Sequence, residues 1–314
     1  MSGSCFAKRF HVIYSFGGIL IDRLSQFQWT VAENGYCFLE LEALKGAPKD
    51  SYLTASIPFG RSYAGSRYTP PSGLFKDFAA LSPQPDRIVE FANRWGMLTA
   101  GDWIKLENQK LGLGETLDSW KSHIADLSLA VQIWEMVKSS DLSGLSRFIK
   151  WKDSSAVMFE RPADNPSEPG PLGTVPWLPG VLLPTTLDFQ EVRWIAARET
   201  NPALLETFRV GDLIAPAWHQ LQHFINERLE GKVSARLLWN SRHSRLSMHQ
   251  VPSDLISALW LQLARAIEGD RKYLQCDECR NWFEVSSPDG GRKDKRFCGT
   301  ACRARYWRKS KEGK

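Results

Sequence analysis

Hydrophobic and polar residues alternate in the first part of the chain, a pattern typical of β-strands. Gly, Asn and Pro separate the alternating segments, as expected for turns between strands. Three segments are predicted to be strands: Val12–Leu20, Tyr36–Leu44 and Tyr52–Ile57. In the second segment Cys37, Leu39 and Leu41 lie on one face, which predicts a half-buried strand.

A helical period of 3.6 residues follows these strands. In Asp86–Trp95 the apolar residues recur at spacings of three and four, and Gly96 stands where a helix commonly ends. A longer helix is predicted from about Leu117 to Lys138, and Leu142–Trp151 is predicted to extend the helical region. The apolar stripe of the longer helix comprises Trp120, Ile124, Leu127, Val131 and Trp134.

A proline-rich segment interrupts the periodic pattern. Seven of the 17 prolines lie between Pro162 and Pro184, which predicts a linker or a long irregular loop. After it, the pattern predicts two helices, a hairpin and a last helix that ends at Gly269. The two helices are Thr186–Arg198 and Pro202–Leu229, and the hairpin strands are Val233–Trp239 and Arg245–Val251. The last helix starts at Pro252–Ser253.

Together these elements predict an α+β fold with a β-rich N-terminal part, a mostly helical middle and a small C-terminal module. A chain of 314 residues is long enough for two or three ordinary domains. The expected segments are an N-terminal α+β region (1–160), a linker or irregular loop (161–185), a mainly helical region with a hairpin (186–270) and the C-terminal module (271–314).

The composition, 43% hydrophobic and 24% charged, is that of an ordinary globular protein. No stretch approaches the roughly 20 apolar residues that span a membrane. The best candidate, His11–Ile21, is too short and lacks the ordered features of a secretory signal. We therefore expect a cytoplasmic protein in which Cys5 and Cys37 are free thiols.

Positive charge is concentrated at the C-terminus. Arg271–Lys314 contains 13 Lys and Arg against 6 Asp and Glu, whereas residues 1–270 contain 27 against 29. A concentrated positive surface attracts a phosphate backbone. A basic C-terminal helix can also serve solubility and the helix dipole alone, so charge leaves both interpretations open.

Four cysteines lie in this basic segment as a C-x2-C pair and a C-x3-C pair separated by eighteen residues: Cys276, Cys279, Cys298 and Cys302. Two close pairs around a hairpin-length segment suit one tetrahedral zinc ion, Zn2+, with four thiolate ligands. The residues between them predict a strand at Asn281–Val285, a turn, a return at Lys295–Phe297 and then a helix, which is the treble-clef arrangement.

A zinc ion with four thiolates has no open position, so it would be structural and not catalytic. Two disulfides are the alternative use of these cysteines, which a reducing compartment disfavours.

The sequence around the cysteines, CDECRNWF and RKDKRFCGTACRARYWR, resembles the C-terminal CGNR-type zinc finger of bacterial transcription-regulator-like proteins. The name-giving Cys-Gly-Asn-Arg is here Cys302-Arg303-Ala304-Arg305, and the resemblance covers about residues 273–310 only. It implies a nucleic-acid-binding regulator whose larger domain senses a ligand or stress. The matching positions are Cys276, Cys279, Phe283, Arg296, Phe297, Cys298, Cys302 and Arg303.

Basic residues in this segment could contact nucleic acid, with DNA favoured over RNA as the partner. On the last helix Arg305, Arg308 and Lys309 are predicted to share a face, and Tyr306 or Trp307 could stack on a base or pack the helix onto the hairpin. The candidate contacts are Arg280, Arg292, Lys293, Lys295, Arg296, Arg303, Arg305, Arg308 and Lys309.

A second cluster, His219, His223 and Glu227, follows one face of a predicted helix. Gln220 replaces the glutamate of the H-E-x-x-H metalloprotease motif, so half-buried or surface histidines are the simpler interpretation.

No P-loop, dinucleotide fingerprint or nucleophile elbow is present in the sequence, so no reaction is specified. Three hypotheses remain open. The first is a nucleic-acid-binding regulator whose large region senses a small molecule or a protein partner. The second is a protein-interaction or defence-type component with a structural zinc module. The third is an enzyme whose site in residues 1–270 has no recognisable motif.

Overall fold

The computed structural model describes residues 29–32, 34–43, 50–56, 66–68, 70–106, 111–152, 156–160, 171–176, 209–240, 245–285 and 295–312. Within them the fold is α+β, as predicted, and all paired strands are antiparallel. The strands are β1 (Trp29–Val31), β2 (Tyr36–Ala43), β3 (Asp50–Ala55), β4 (Ser66–Tyr68), β5 (Asp102–Lys105), β6 (Leu111–Thr116), β7 (Ile149–Lys152), β8 (Ala156–Glu160), β9 (Pro171–Pro176), β10 (Val233–Asn240), β11 (Arg245–Pro252), β12 (Tyr273–Gln275) and β13 (Trp282–Glu284). The helices are α1 (Leu74–Ala79), α2 (Pro85–Trp95), α3 (Leu117–Ser139), α4 (Leu142–Leu145), α5 (Ile214–Leu229), α6 (Leu255–Glu268) and α7 (Thr300–Glu312).

The described residues form two compact units, each assembled from separated parts of the chain. The first unit comprises the described residues up to Ser72 together with Gln84–Leu117 and Lys232–Ala258. The second unit comprises Gly73–Pro83, Asp118–Gly231 and Leu259–Lys314. These units group residues that are distant in the chain, and they are drawn differently from the consecutive segments expected from the sequence, 1–160, 161–185, 186–270 and 271–314, which stay a prediction.

A closed four-stranded sheet in the order β2, β3, β6, β5 forms the basis of the first unit. Leu53 of β3 and Ile104 of β5 are fully buried in it. The predicted strand at Tyr36–Leu44 is confirmed as β2, but its core face was predicted wrongly, because Tyr36 is buried and Leu39 is exposed. Both faces of β2 carry apolar residues, so alternation alone did not select the buried one.

Helix α2 confirms the helix predicted at Asp86–Trp95, and its apolar stripe is buried as expected. The helix ends at Gly96, whose φ of 89° is readily adopted only by glycine and whose N–H donates to the carbonyl of Ala92. The Asn93 side chain accepts a hydrogen bond of 2.7 Å from the N–H of Tyr36. This bond fixes the start of β2 against α2 within the first unit.

The long helix α3 confirms the prediction of Leu117–Lys138 almost to the residue. All five residues of its predicted stripe are buried, and the ring of Trp120 lies 6.1 Å from that of Phe78 in α1. The helix ends at Ser139, and the next residue, Ser140, has a φ of 54°. Asp141 then caps the short α4 by accepting from the N–H of Gly144.

The predicted helix at Leu142–Trp151 is wrong after its first turn. Only Leu142–Leu145 is helical, and Ile149–Lys152 forms β7, which pairs with β8. Part of the predicted irregular loop at 161–185 is also ordered, since Pro171–Pro176 is strand β9 on the edge of the same sheet. Proline is tolerated there because the two prolines stand at the ends of an edge strand.

Of the helix predicted at Pro202–Leu229, the part from Ile214 to Leu229 is confirmed as α5, and residues 202–208 lie outside the described residues. The Asp212 carboxylate accepts from the N–H groups of Ile214 and Ala215, and Gly211 has a φ of 85°, so a cap and a turn precede the helix. The predicted hairpin is confirmed as β10 and β11, and the last predicted helix as α6. The predictions at Val12–Leu20 and Thr186–Arg198 lie outside the described residues.

No helix in the described part of the chain is both long and apolar enough to cross a membrane.

We predict that Glu115→Ala lowers the free energy of unfolding by about 1–3 kcal/mol, because it leaves buried donors without an acceptor. The buried Glu115 carboxylate accepts from the N–H of Leu98 at 3.0 Å and from the hydroxyl of Thr99 at 2.7 Å. Urea denaturation measures the change. The control is Glu90→Ala, which removes only an exposed ion pair with Arg87 and should change stability by less than about 1 kcal/mol. Equal effects of the two substitutions would contradict the prediction.

Candidate metal centre and basic helix

The first cysteine pair lies in the turn of a short hairpin. Strands β12 and β13 pair in register, with Leu274 opposite Phe283, and the turn between them holds Cys276 and Cys279. The N–H of Cys276 donates to the carbonyl of Asn281 at 3.0 Å. Arg280 closes the turn with a φ of 62°, the left-handed conformation that tight turns require.

This hairpin differs from the predicted one. The sequence predicted that the strand at Asn281–Val285 pairs with a return at Lys295–Phe297, but β13 pairs with β12 instead, and 295–297 is not a strand. The segment 295–297 still contacts the turn from Cys276 to Arg280, called the knuckle below. The N–H of Asp277 in this turn donates to the carbonyl of Arg296 at 3.1 Å.

The second cysteine pair stands where α7 begins. Cys298 precedes the helix and Cys302 lies in its first turn, as the sequence predicted. Two ion pairs join this half to the knuckle: Arg296 with Asp277 at 2.7 Å and Lys309 with Glu278 at 2.7 Å. The acidic pair beside the knuckle therefore fixes the return segment and the helix in place.

The four sulfur atoms converge on one point. All of them lie within 4.8 Å of one another. The sulfur of Cys298 lies 3.7 Å from the sulfur of Cys279 and 3.4 Å from that of Cys302. Tetrahedral ligands at about 2.3 Å from a zinc ion stand about 3.8 Å apart, so the observed separations fit such a site. They exceed the disulfide bond length of about 2.05 Å, and the cysteines are free thiols. The cluster could thus hold one metal ion.

Electrostatics within the cluster favours a bound cation. Burial raises the pKa of the Cys276 thiol, but the backbone N–H groups of Cys279, Cys298 and Glu278 favour its thiolate, and the net pKa is lowered to about 6. Burial and the three neighbouring sulfurs raise the pKa of Cys298 above its ordinary value. Four sulfurs this close do not all ionise alone, whereas a coordinated cation deprotonates thiols outright.

Helix α7 has an inner and an outer face. The inner face contacts the cysteine cluster: Arg305 donates to the sulfur of Cys302 at 3.1 Å, and the ring of Tyr306 lies 5.1 Å from that of Phe297. Lys309 continues this face through its ion pair with Glu278. Two members of the predicted row Arg305, Arg308 and Lys309 therefore also contact the module itself, and the row as a nucleic-acid contact stays a prediction.

The outer face of α7 is exposed. It presents Trp307, with 51% of its surface accessible, between Arg303 and Arg308 and one turn before Lys311. Within the described residues no carboxylate pairs with Arg303 or Arg308. Lys311 was not a candidate from the sequence, although its helical spacing of four from Trp307 places it on the same face.

The remaining candidate contacts have separate positions. Arg280 is exposed at the knuckle, and Lys295 is exposed with its ammonium 5.3 Å from the ring centre of Phe283. Arg296 pairs with Asp277, as described above. Arg292 and Lys293 lie outside the described residues.

The hairpin formed by β12 and β13, called the knuckle hairpin below, is packed against α1 and α3 of the same unit. The Lys76 ammonium of α1 pairs with Glu135 and lies 4.4 Å from the ring centre of Trp282, 5.6 Å from that of Trp134 and 5.9 Å from that of Tyr273. These contacts are cation–π interactions around a buried lysine. Trp282 and Tyr273 belong to the knuckle hairpin, so the hairpin helps to enclose the charge.

Backbone contact accompanies this cage. The N–H of Trp282 donates to the Asp77 carboxylate at 3.3 Å. A Cβ added to Gly73 would stand 2.4 Å from the carbonyl oxygen of Trp282, so only glycine allows this approach. No local pattern predicts this docking, because it joins residues about two hundred positions apart.

The histidine cluster does not form a second metal site. Among the described residues only the four cysteines bring three or more His, Cys, Asp or Glu side chains close enough to share an ion. His219 is buried, and burial followed by the nearby His223 lowers its pKa to about 4, so it is neutral at pH 7. Glu227 is exposed.

No protein-family model, curated protein or solved structure matches the chain.

We predict that the purified chain carries one metal ion and that Cys276→Ser loses it, because a hydroxyl is a poor substitute for a thiolate ligand. Elemental analysis of the protein gives the ratio of metal to chain. Cys37→Ser is the matched control, since Cys37 lies in β2, outside the cluster. A full metal complement in Cys276→Ser would show that the four sulfurs are not the ligand set.

We also predict that Gly73→Ala lowers the free energy of unfolding by about 1–3 kcal/mol, because the new methyl group forces the knuckle hairpin away from α1. The control is Gly299→Ala, whose added Cβ meets no atom within 4 Å. Thermal unfolding followed by circular dichroism compares the two variants. An unchanged midpoint for Gly73→Ala would mean that the packing of Trp282 on α1 is not maintained in solution.

Proposed function

We propose that the chain is a nucleic-acid-binding protein, of the transcription-regulator type, whose C-terminal module is held together by zinc. Four thiolates in a tetrahedral cluster are the ligand set typical of structural zinc. Because all four positions are protein ligands, the ion has no site for a substrate or an activated water. It fixes the knuckle, the return segment and α7, which are too small to fold on their own hydrophobic core.

The nucleic-acid contact is made by the outer face of α7. Arg303, Arg308 and Lys311 supply positive charge, and Trp307 supplies an exposed aromatic ring between them. Guanidinium groups bind phosphate oxygens in a bidentate manner, and a tryptophan can stack on a base. The resemblance to CGNR-type zinc fingers supports the same assignment.

One observation carries this proposal: the basic residues of α7 are divided between two tasks. Arg305 and Lys309 neutralise the sulfur cluster and Glu278, as their short contacts indicate. Arg303 and Arg308 have no carboxylate partner within the described residues and face solvent. Arginines without a carboxylate partner among the described side chains, on both sides of an exposed tryptophan, are typical of a surface that meets an anionic, aromatic ligand.

Phosphate binding releases counterions, so affinity depends on salt. We predict that the full-length protein binds duplex DNA with a strong salt dependence and that Arg303→Ala and Arg308→Ala each reduce the slope of log K against log salt by about 1. Each substitution should weaken binding to all duplex sequences to a similar extent. Fluorescence anisotropy with a labelled duplex and a matched single strand gives both quantities.

Arg87→Ala provides the control, because Arg87 is an exposed arginine on α2 that pairs with Glu90. It should leave the slope unchanged. Zinc content measured on each variant separates loss of a contact from loss of the module. Binding that does not weaken with rising salt, or an unchanged slope in both α7 variants, would contradict the proposal and favour a protein-interaction role.

A further inference from the structure

Trp307 stands at the end of a series of side-chain contacts that begins at the knuckle. Arg296 pairs with Asp277 of the knuckle at 2.7 Å. The guanidinium of Arg296 lies 5.7 Å from the ring centre of Phe297 and 5.6 Å from that of Tyr306. The ring of Tyr306 in turn lies 5.1 Å from that of Phe297 and 5.8 Å from that of Trp307. The position of the indole is therefore fixed by the fold of the module.

These contacts leave a face of the indole open. The rings of Tyr306 and Trp307 stand at 89° to each other, which is an edge-to-face arrangement. In such a pair either Trp307 contributes its edge, or the edge of Tyr306 covers one face of Trp307, so at least one indole face is clear of Tyr306. Because Trp307 is 51% accessible, a flat ligand ring can reach it.

Positive charges lie along the helix on both sides of this ring. Arg303 is four residues before Trp307 and Lys311 is four residues after it, so the three side chains form one row on the outer face of α7. At 1.5 Å per residue, each cation is displaced from the ring by about 6 Å along the helix axis. Arg308, next to Trp307, is exposed like the three residues of the row. The face thus combines one aromatic ring with three cations.

We propose that this face, defined by Arg303, Trp307, Arg308 and Lys311, binds single-stranded DNA, with an unpaired base stacked on Trp307 and the neighbouring phosphates bound by the cations. The inference rests on the proposed function and narrows its ligand. In a duplex the neighbouring base pairs cover the faces of the bases, and the grooves present only base edges. The same cations reach the phosphates of a duplex, but Trp307 has no base face to meet there. An unpaired strand offers a ring face at every base.

A protein partner fits this face less well. Tryptophan is common in protein interfaces, but the buried core of such an interface is depleted in charged residues. The exposed residues in the row with Trp307 and beside it are cations, so a protein that covered the indole would have to bury or pair three positive charges. A phosphate backbone supplies a negative charge at every nucleotide, so it matches the charge of the face along the whole row.

The donor and acceptor chemistry of the face favours DNA over RNA. Arginine, lysine and the indole N–H are hydrogen-bond donors without an acceptor. None of the four side chains can therefore accept a hydrogen bond from the 2′-hydroxyl group, the group by which a protein distinguishes RNA from DNA. We expect a homouridine strand to bind no more tightly than a homothymidine strand of the same length.

Fluorescence anisotropy of the full-length protein tests the proposal with a labelled homothymidine strand of about 16 nucleotides and with its homoadenine duplex, at one salt concentration. We expect Trp307→Ala to weaken binding of the single strand about 10-fold or more and binding of the duplex less than about 2-fold, because only the single strand loses a stacked base. Trp307→Phe and Trp307→Leu both keep apolar bulk against Tyr306. The phenylalanine variant should retain most of the single-strand affinity, and the leucine variant, which has no ring, should lose it.

Trp103→Ala is the matched control, because Trp103 of β5 is 52% accessible and belongs to the first unit. It should leave both affinities unchanged. Metal content and thermal unfolding of each variant show whether the module is intact.

Three results would overturn the proposal: equal losses on the single strand and the duplex in Trp307→Ala, an unchanged single-strand affinity in that variant, or tighter binding of the homouridine strand. The salt slope judges the proposed function separately. If Arg303→Ala and Arg308→Ala reduce the slope while Trp307→Ala does not distinguish the two ligands, the proposed function stands and the single-strand assignment fails. Absence of salt-dependent binding to both ligands would contradict both.

Discussion

The convergence of four sulfur atoms on one point determines the C-terminal architecture. The knuckle supplies two of them from a tight turn, and α7 supplies the others from its first turn and from the residue before it. Without a shared ion, burial and the neighbouring sulfurs raise the pKa of Cys298, so the close approach of four sulfurs opposes the thiolate form at that position. With an ion, the same sulfurs join segments that have almost no apolar core of their own beyond Phe283 and its neighbours.

This cluster also decides which basic residues are available. Because Cys302 must face the sulfurs, the residues three, four and seven positions later face inward as well. Arg305 and Lys309 thus become part of the module, and Arg303, Trp307, Arg308 and Lys311 remain outside. The division of α7 into an inner and an outer face is in this sense a consequence of the position of the cysteine cluster.

The module is integrated into a larger unit and is not a tethered finger. The cage around Lys76 joins a charged side chain of α1 to aromatic rings from α3 and from the knuckle hairpin, and Gly73 allows the hairpin backbone to approach closely. A buried ammonium needs both its Glu135 partner and the surrounding rings, because an uncompensated charge in this environment is costly. The metal centre and the helices of its unit therefore depend on each other for stability.

The outer face of α7 stands out by the surroundings of its tryptophan. On α7 the signal is an exposed tryptophan beside arginines that have no carboxylate partner in the described part of the chain. Accessibility alone is a weaker sign, because Trp103 of β5 is as exposed as Trp307 and directly follows Asp102. The charge around the ring therefore distinguishes the two tryptophans.

Local patterns in the sequence determined α2, α3, α6, the β10–β11 hairpin and the positions of the four cysteines in turn and helix, because periodicity, caps and ligand spacing act over a few residues. They failed where a choice depended on distant partners. The β2 face, the strand at Ile149–Lys152 and the pairing of β13 with β12 were all decided by packing.

The same limit applies to the site. Spacing identified the four cysteines that come together in the candidate metal centre, whereas the assignment of each arginine to the inner or outer face of α7 required the position of the knuckle. Only the tertiary structure revealed the docking of Trp282 on Lys76 and Gly73 and the contacts that lead from the knuckle to Trp307, since a contact between distant residues leaves no local pattern in a single sequence.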